Sequence, residues 1–365
     1  MGFKVEVVAE KLKEPCKYEI MLVDADTPVF KASKSIQQDY ILVKHKATGK
    51  VKRYRNVTEW HGHWAKKAGG ALKEINDKRT LKGQDVFHPE DFEIEQLSEL
   101  NPEIKDHLSE ALKHFDFFIG GLKRLNLADD YLLGIGGEGN FRKDLAQIAQ
   151  YKGARPEKPL LFLEVKEAII QKYKRKVVIV DGQEVDDWCT ILGQEYYKDF
   201  LKTGKHKAIL AYCDKDLKMS NIPMFNYNEV DPIILEQTEY DAMLHFCAQC
   251  LAGDSIDNIP GLLNFTEDIQ KKYGLGKTKG IGLATALKYL KGSEGIKEMF
   301  ERLVEAYTAF YGEGETEFVS WRGEKFIWTA LDYLNDNARL LWLRKKEGEV
   351  FNIREVLKEY GINFR

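Results

Sequence analysis

Nowhere does the chain carry the roughly 18 consecutive apolar residues that a membrane-spanning helix needs. Its N-terminus is charged and lacks the apolar core of a secretory signal, so a cytosolic protein with no membrane partner is expected. Cysteine is scarce: Cys16, Cys189, Cys213, Cys247 and Cys250 make an odd count of five. Cys247 and Cys250 read C-x-x-C, but no second cysteine pair or histidine pair accompanies them as a zinc site would require. Thiols packed in a core, in a reducing compartment, are the expectation. An excess of positive charge is missing too. The formal net charge is -3, which excludes a wholly basic, histone-like binder and leaves local patches open. Internal repeats and low-complexity tracts are absent as well.

What is present is the composition of an ordinary soluble protein, long enough at 365 residues for two domains or one enlarged domain with an appendage. Four short apolar runs each end on acidic or glycine-rich residues: "YEIMLVDAD" (18–26), "YLLGIGGEG" (131–139), "KVVIVDGQEVDD" (176–187) and "KAILAYCDKD" (207–216). Trp188, Ile191, Leu192 and Tyr196 mark a helix between the last two. Buried strands alternating with helices predict a mainly parallel α/β sheet, whose ligands bind beyond the carboxyl ends of the strands. Between the first two strands lies an insertion at about 35–125. Within it "DYILVKHKATGKVKRYRNV" alternates around a Thr-Gly turn and predicts a β-hairpin. "WHGHW" (60–64) offers two histidines but no third metal ligand, so packing or surface roles are expected for them. After residue 235 helical patterns dominate, including "YGLGKTKGIGLATALKYLKG" (273–292), "IWTALDYLNDNARLLWLRK" (327–345) and a tail helix near "IREVLKEYG".

The acids at the strand ends are Asp24; Glu138; Glu184, Asp186 and Asp187; and Asp214 and Asp216. Asp254 and Asp257 join them from "CLAGDSIDNIPG" (250–261). Alone, that last pair reads as a capped helix end with solvated charges. In a parallel sheet all nine would project around one cleft, and carboxylates so crowded cannot all ionise without cations. Oxygen ligands without histidine or thiolate favour Mg²⁺ or Mn²⁺. Two such ions about 4 Å apart suit phosphodiester hydrolysis. From residue 142 to 176 there are 10 Lys/Arg against 4 Asp/Glu, with Phe141 and Tyr151 among Arg142, Lys143, Lys152 and Arg155. That mixture suits a nucleic-acid strand, since cations hold phosphates and a ring stacks a base; a solvated helix face is the plainer alternative. Residues 271–291 carry six lysines and no acid around "KGIGLATALKYL". Glycines there allow backbone N–H groups to approach a phosphate at a helix N-terminus.

In this order the motifs resemble the 5′ nucleases, which include flap endonucleases and the 5′-nuclease domains of bacterial DNA polymerases. "LVDAD", "EVDD", "CDKD", "GDSIDNIPG" and "GIGLATA" carry the resemblance. "NFRKDL", "YKGAR" and "DNARLLWL" look closest to phage-encoded 5′-to-3′ exonucleases. The resemblance covers about 18–30 and 130–345. It departs at Ala25, where glycine is usual, and at the second strand, where the usual aspartate is missing and Glu138 is the nearest acid. Residues 262–279 are an insertion between "IPG" and "GIG".

The resemblance implies a PIN-like catalytic domain over residues 1–245, a helical helix–hairpin–helix DNA-binding region over 246–345, and a C-terminal tail helix over 346–365. It implies two divalent ions. Glu184, Asp186 and Asp214, with Asp24 and Glu138, would hold the one that generates the nucleophile. Asp216, Asp254 and Asp257, with Asp187, would hold the other. Tyr151, Lys152, Arg155 and Arg142 would steer the 5′ strand. Lys143, Lys277, Lys279, Gly280, Gly282, Thr285 and Lys288 would grip duplex DNA, with a potassium ion at the hairpin. The implied substrates are duplex DNA with 5′ ends or flaps and RNA–DNA hybrids. A replication polymerase or single-strand-binding protein is a further implied partner, the chain itself being a monomer in the cytoplasm, that of an infected bacterial host if it is phage-encoded. A PIN-type ribonuclease and a non-catalytic DNA-binding module are the alternatives; the first has no need of the "GDSIDNIPG…GIG" element.

Overall fold

The computed structural model describes residues 18–63, 68–153, 155, 157–229, 233–277 and 279–363. In chain order, β1 (Tyr18–Asp24) runs into α1 (Asp26–Lys34). The inserted segment then forms β2 (Gln37–His45), β3 (Val51–Tyr54), α2 (Val57–His61), β4 (Gly62–His63), β5 (Ala68–Gly69), α3 (Ala71–Leu81), β6 (Phe92–Leu100) and α4 (His107–Leu125). Next come β7 (Ala128–Gly136), α5 (Arg142–Leu145), α6 (Phe162–Lys172), β8 (Val177–Val180), α7 (Val185–Thr203), β9 (Ala208–Tyr212), a 3₁₀ turn (Lys215–Met219) and β10 (Met224–Asn226). The rest is mostly helical: α8 (Glu239–Ala252), α9 (Glu267–Lys272), α10 (Leu283–Leu290), α11 (Ile296–Tyr311), the β11 (Thr316–Val319) and β12 (Lys325–Trp328) hairpin, α12 (Ala330–Leu341) and α13 (Ile353–Glu359).

The chain divides into two compact units. The first comprises Met1–Thr27, Gly120–Glu157 and Tyr173–Arg365. At its centre is a five-stranded sheet of order β10-β9-β1-β7-β8, parallel at every pairing. Every residue of β9, "AILAY", is buried, as expected of a parallel strand covered on both faces. Helices flank the sheet, and α7 lies along β1, β7 and β9. The expected mainly parallel α/β sheet is the one that forms. The helices from α8 onward share one hydrophobic core with it, from Leu22, Leu210 and Val185 through Phe246, Leu251 and Tyr307 to Leu334 and Leu357. The domain boundary expected near residue 245 therefore falls inside one compact unit. Cys247 and Cys250 are buried in this core, where loss of water pushes both thiols up. Cys16 lies outside the described residues.

The second unit, Pro28–Ile119 with Lys158–Lys172, overlaps the expected insertion. Its antiparallel sheet has the order β3-β2-β6, and the β2–β3 hairpin pairs Ile41 with Tyr54 and Lys44 with Val51. Ile41, Val43, Tyr54, Leu72 and the fully buried Trp60 form a small core of its own. His61 lies edge-on to Trp60. Trp64 lies outside the described residues, and no histidine cluster able to hold a metal forms among those described. Among the described residues no helix is long and apolar enough to cross a membrane.

The segment that carries Asp254 and Asp257 is a tight loop sealed by two glycines. Helix α8 ends on Gly253, whose N–H donates to the Gln249 carbonyl one turn back at 2.7 Å. Gly253 has φ +67 and Gly261 φ +66. Neither leaves room for a Cβ, which would lie 2.3 Å from the Ile259 carbonyl oxygen at the first and 2.3 Å from the Gly253 nitrogen at the second. Asp254 and Ile259 exchange both backbone hydrogen bonds at 2.8 Å, and the Asp254 carboxylate accepts from Ile256 N–H (2.8 Å). From α12, the Asn337 side chain accepts from Gly261 N–H at 3.0 Å. Neither aspartate caps α8.

Gly261→Ala should therefore cost more than the roughly 1–2 kcal/mol of a left-handed residue alone. Gly292→Ala, at φ +83 with open space around it, should cost no more than that. Urea unfolding of the two variants measures the difference, and equal losses would contradict the sealed-loop account.

Candidate active site

The carboxyl ends of the parallel strands gather acids from several places in the sequence. Asp24 closes β1, is buried, and accepts a hydrogen bond from Asp26 N–H (3.1 Å). Glu184 and Asp186 stand at the start of α7, shortly after β8. Asp214 and Asp216 open the 3₁₀ turn after β9, where the Asp214 carboxylate accepts from Asp216 N–H (3.1 Å). The sealed loop brings in Asp254 and Asp257, both buried.

Proximity shows in their proton affinities. Burial raises Asp24 to about 7, with Asp26, Asp214 and Glu184 adding to it. Loss of water also raises Asp186, and Asp24, Asp214, Glu184 and Asp216 push it further. Asp216 is lifted to about 7 by burial and then by Asp214, against a hydrogen bond from Gln249. Asp214 is raised as well, by desolvation and by Asp257 and Asp254. Glu184 behaves oppositely: burial works against its charge, yet Lys152 and Arg142 hold it down to about 2.

The difference follows the cations. Lys152 donates to Glu184 and lies 3.5 Å from Asp257. Arg155 donates to Asp257 (2.6 Å), and the Tyr151 hydroxyl donates to Asp257 (2.9 Å) and lies 3.2 Å from Glu184. Asn140 donates to Glu184 at 2.7 Å. Lys215 pairs with Asp254 at 2.8 Å, which outweighs burial and lowers that carboxyl. Asp24, Asp186, Asp214 and Asp216 make no ion pair among the described residues. The site thus has a neutralised side and an anionic side.

Three sequence expectations change. Asp187 does not face the cleft. It is fully buried, and Arg142, also buried, grips it with two hydrogen bonds of 2.5 and 2.8 Å. Asp187 also accepts from the backbone N–H of Glu184 (3.1 Å) and Arg344 (3.0 Å). Its lone pairs are taken, and four of the five donors of Arg142 are used, two of them on the Leu340 and Trp342 carbonyls. Both residues hold the fold together and neither is free to meet a ligand. Glu138 is exposed after β7, with its backbone tied to Asp181 and Gly182. The acid at the end of β7 is instead Asp26, which accepts from Gly136 N–H at 2.8 Å and whose carboxylate would lie 2.8 Å from a Cβ on Gly136. Asp26 is not among the acids expected from the sequence, although "DAD" spells it out; two acids flanking a strand-to-helix turn are the available signal.

Elsewhere, Lys143 is exposed on α5. The 262–279 insertion contains α9, capped by Thr266. Gly280 leads to Gly282, the N-cap of α10, whose first turn includes Thr285. Gly282 has an extended backbone and open space around it, so nothing inside the protein requires glycine there. Lys277 and Lys279 lie in the loop before it, and Lys288 donates to the Gly274 carbonyl (2.5 Å).

Among the described residues no three acid, histidine or thiol side chains already surround one point as an ion would need. The chemistry of the donor set still fits a hard divalent cation. The donors are all oxygen, and four carboxyls held above their ordinary range lack an ion-pair partner among the described residues.

No protein-family model matches the chain, and no curated protein matches its sequence. Solved structures similar to it include the bacteriophage T5 flap endonuclease in a pseudo-enzyme–product complex with DNA and metal ions. That match has 14% identity and a TM-score of 0.33, covering 63% of this chain and 90% of the other. A mutant of the T5 5′-exonuclease matches with 15% identity and a TM-score of 0.32, over the same shares.

Two measurements probe these charges. Asp187→Asn should lower stability by about 3–5 kcal/mol in urea unfolding, because Arg142 is left buried without its counter-charge. A loss within ~1 kcal/mol would refute the buried pair. Asp24 binds its proton more tightly folded than unfolded, so its contribution to stability declines as pH rises from about 4 to about 7. In chelator, Asp24→Asn should flatten the fall in melting temperature across that window and raise the melting temperature at pH ~8. An unchanged pH profile would contradict the assignment.

Proposed function

We propose that the chain is a 5′ nuclease dependent on Mg²⁺ or Mn²⁺. It hydrolyses phosphodiester bonds at 5′ ends and flaps of duplex DNA, RNA primers included, in phage DNA replication. The observation that carries this reading is the pairing of an anionic carboxylate cluster with a cation-and-tyrosine rim at the carboxyl edge of one parallel sheet. Asp24, Asp186, Asp214 and Asp216, with Asp26 beside them, are the proposed ligands on the anionic side. Glu184, Asp254 and Asp257 complete the set from the neutralised side. When bound, two divalent ions would supply a water-derived nucleophile and offset charge on the leaving oxygen.

The protein's own groups orient the substrate. Lys152 and Arg155 carry fixed positive charge at the rim, where a phosphate oxygen can replace the carboxylates they now hold. Tyr151 is nearly buried and keeps its proton, since burial and Glu184 push its pKa well up. It therefore donates a hydrogen bond at any working pH. The loop through Gly280 and Gly282 offers backbone N–H groups and the start of α10 to a duplex phosphate, with Lys277 and Lys279 adding charge. The implied potassium ion would belong to this helix–hairpin–helix turn. A PIN-type ribonuclease would share the acids but leave that open glycine turn without a role.

A 5′-labelled blunt duplex and a 5′-flap substrate should both be cut in Mg²⁺ and spared in chelator. Asp186→Asn should slow cleavage by orders of magnitude while DNA affinity stays within about threefold, because the change removes a ligand and not a phosphate contact. Cleavage of single-stranded RNA in preference to either DNA would instead establish the ribonuclease.

A further inference from the structure

The rim residues Tyr151, Lys152 and Arg155 follow a segment whose backbone is gripped from outside at nearly every step. Arg322 donates to the Ala146 carbonyl (2.7 Å) and to the Lys143 carbonyl (2.5 Å). Trp321 donates its indole N–H to the Ala146 carbonyl (3.0 Å) and its backbone N–H to the Gln147 carbonyl (3.0 Å). From α12, the buried Asp336 accepts from Gln147 N–H (3.2 Å) and Ile148 N–H (3.0 Å), and Arg339 donates to the Leu145 carbonyl.

Trp321 and Arg322 form the tip of the β11–β12 hairpin, closed by a hydrogen bond from Ser320 N–H to the Glu324 carbonyl at 2.8 Å. Trp321 is 42% exposed, so core burial does not account for its position. Its two N–H groups nevertheless both serve residues 146 and 147. The root of the hairpin is fixed by aromatic packing, with Phe318 stacked on Trp328 at 3.9 Å and Trp328 edge-on to Tyr333 at 4.9 Å.

At its other end the segment is tied to the sealed loop that carries Asp254 and Asp257. Asn258 donates to the Gln150 carbonyl (2.9 Å), and Lys152 N–H donates to the Asp257 carbonyl (2.9 Å). Held by these anchors, Lys152 sits at φ +57. A residue with a side chain adopts that conformation only when its surroundings impose it. Relaxation of φ to a negative value would carry the amine away from Glu184 and Asp257.

We propose that the hairpin tip, Trp321 with Arg322, is a positioning element that holds Lys152 in its left-handed conformation at the cleft. The proposal rests on the reading of Lys152 as a substrate-orienting group. Its conformational half can be tested without that reading.

The experiment compares Trp321→Ala/Arg322→Ala with wild type, alone and in a Lys152→Ala background. Amide exchange in the metal-free protein should accelerate at Gln147, Ile148 and Lys152 while the urea midpoint of the whole chain moves little. The rate at saturating DNA should fall roughly tenfold to a hundredfold, as misplacement of a reacting group predicts, with KM nearly unchanged. In the Lys152→Ala background the same pair of substitutions should produce little further loss, since the effect travels through Lys152. Lys325→Ala, at an exposed position of the hairpin, should leave the rate alone. Unchanged exchange at Lys152, or losses that multiply in the double background, would overturn the proposal. Should the double variant fail to fold, Arg322→Lys keeps the charge, loses the planar fork, and bears the same comparison. A wild-type protein that cut no DNA would remove the nuclease reading, and the exchange result would still decide whether the tip positions Lys152.

Discussion

Everything at the cleft hangs on the Arg142–Asp187 pair. One buried guanidinium joins the short helix after β7, the first turn of α7 and the last carbonyls of α12. Such a pair is weak evidence for stability by itself, because taking two charges out of water costs nearly what their attraction returns. Its value lies in specification. A planar fork can satisfy a bidentate carboxylate and two helix-end carbonyls in one orientation only. That orientation fixes α7, and with it Glu184 and Asp186, against the strand ends. Cations also suit the carboxyl end of a helix, and Arg142 sits at that end of α12.

A second constraint comes from neighbouring residues on α12. Asp336 holds the backbone of residues 147 and 148, and Asn337 holds Gly261. One rigid helix thus sets both the segment that supplies Lys152 and the loop that supplies Asp254 and Asp257. The two meet through Lys152 and Asn258, both left-handed at φ +57 and +59. Strain at these positions is the cost of aiming their neighbours, and the anchoring hydrogen bonds offset it.

Much of this is legible in the sequence, and the limits of that reading are physical. Acids following apolar runs can be gathered into one cleft because a parallel sheet leaves all its carboxyl ends on one edge. The faces of individual acids cannot be assigned so easily. In "EVDD" the last two residues are about 100° apart around a helix, so Asp186 looks into the cleft while Asp187 turns inward to cap its own helix and receive Arg142. The arginine in "NFRKDL" is charged, and charge normally signals exposure; only the three-dimensional partner reveals its burial. Glu138 looks like the acid of the second strand by position along the chain. Asp26 fills that place from the start of α1 because Gly136 leaves the space. The β11–β12 hairpin escapes the sequence reading, although "EFVSWRGEKFIW" alternates around Arg-Gly, the same signal that exposes the β2–β3 hairpin.

The division of charge across the cleft carries a mechanistic consequence. Glu184, Asp254 and Asp257 are matched by Lys152, Arg155 and Lys215, whereas Asp24, Asp186, Asp214 and Asp216 have no such match among the described residues. In the proposed nuclease, Lys152 and Arg155 can release their carboxylates for a phosphate only if another cation takes those carboxylates over. Stripping them from Glu184 and Asp257 without replacement would leave two more unmatched negative charges beside four carboxyls that already resist ionisation. Filling of the anionic side and transfer of Lys152 and Arg155 onto a phosphate are therefore linked. Each makes the other less costly.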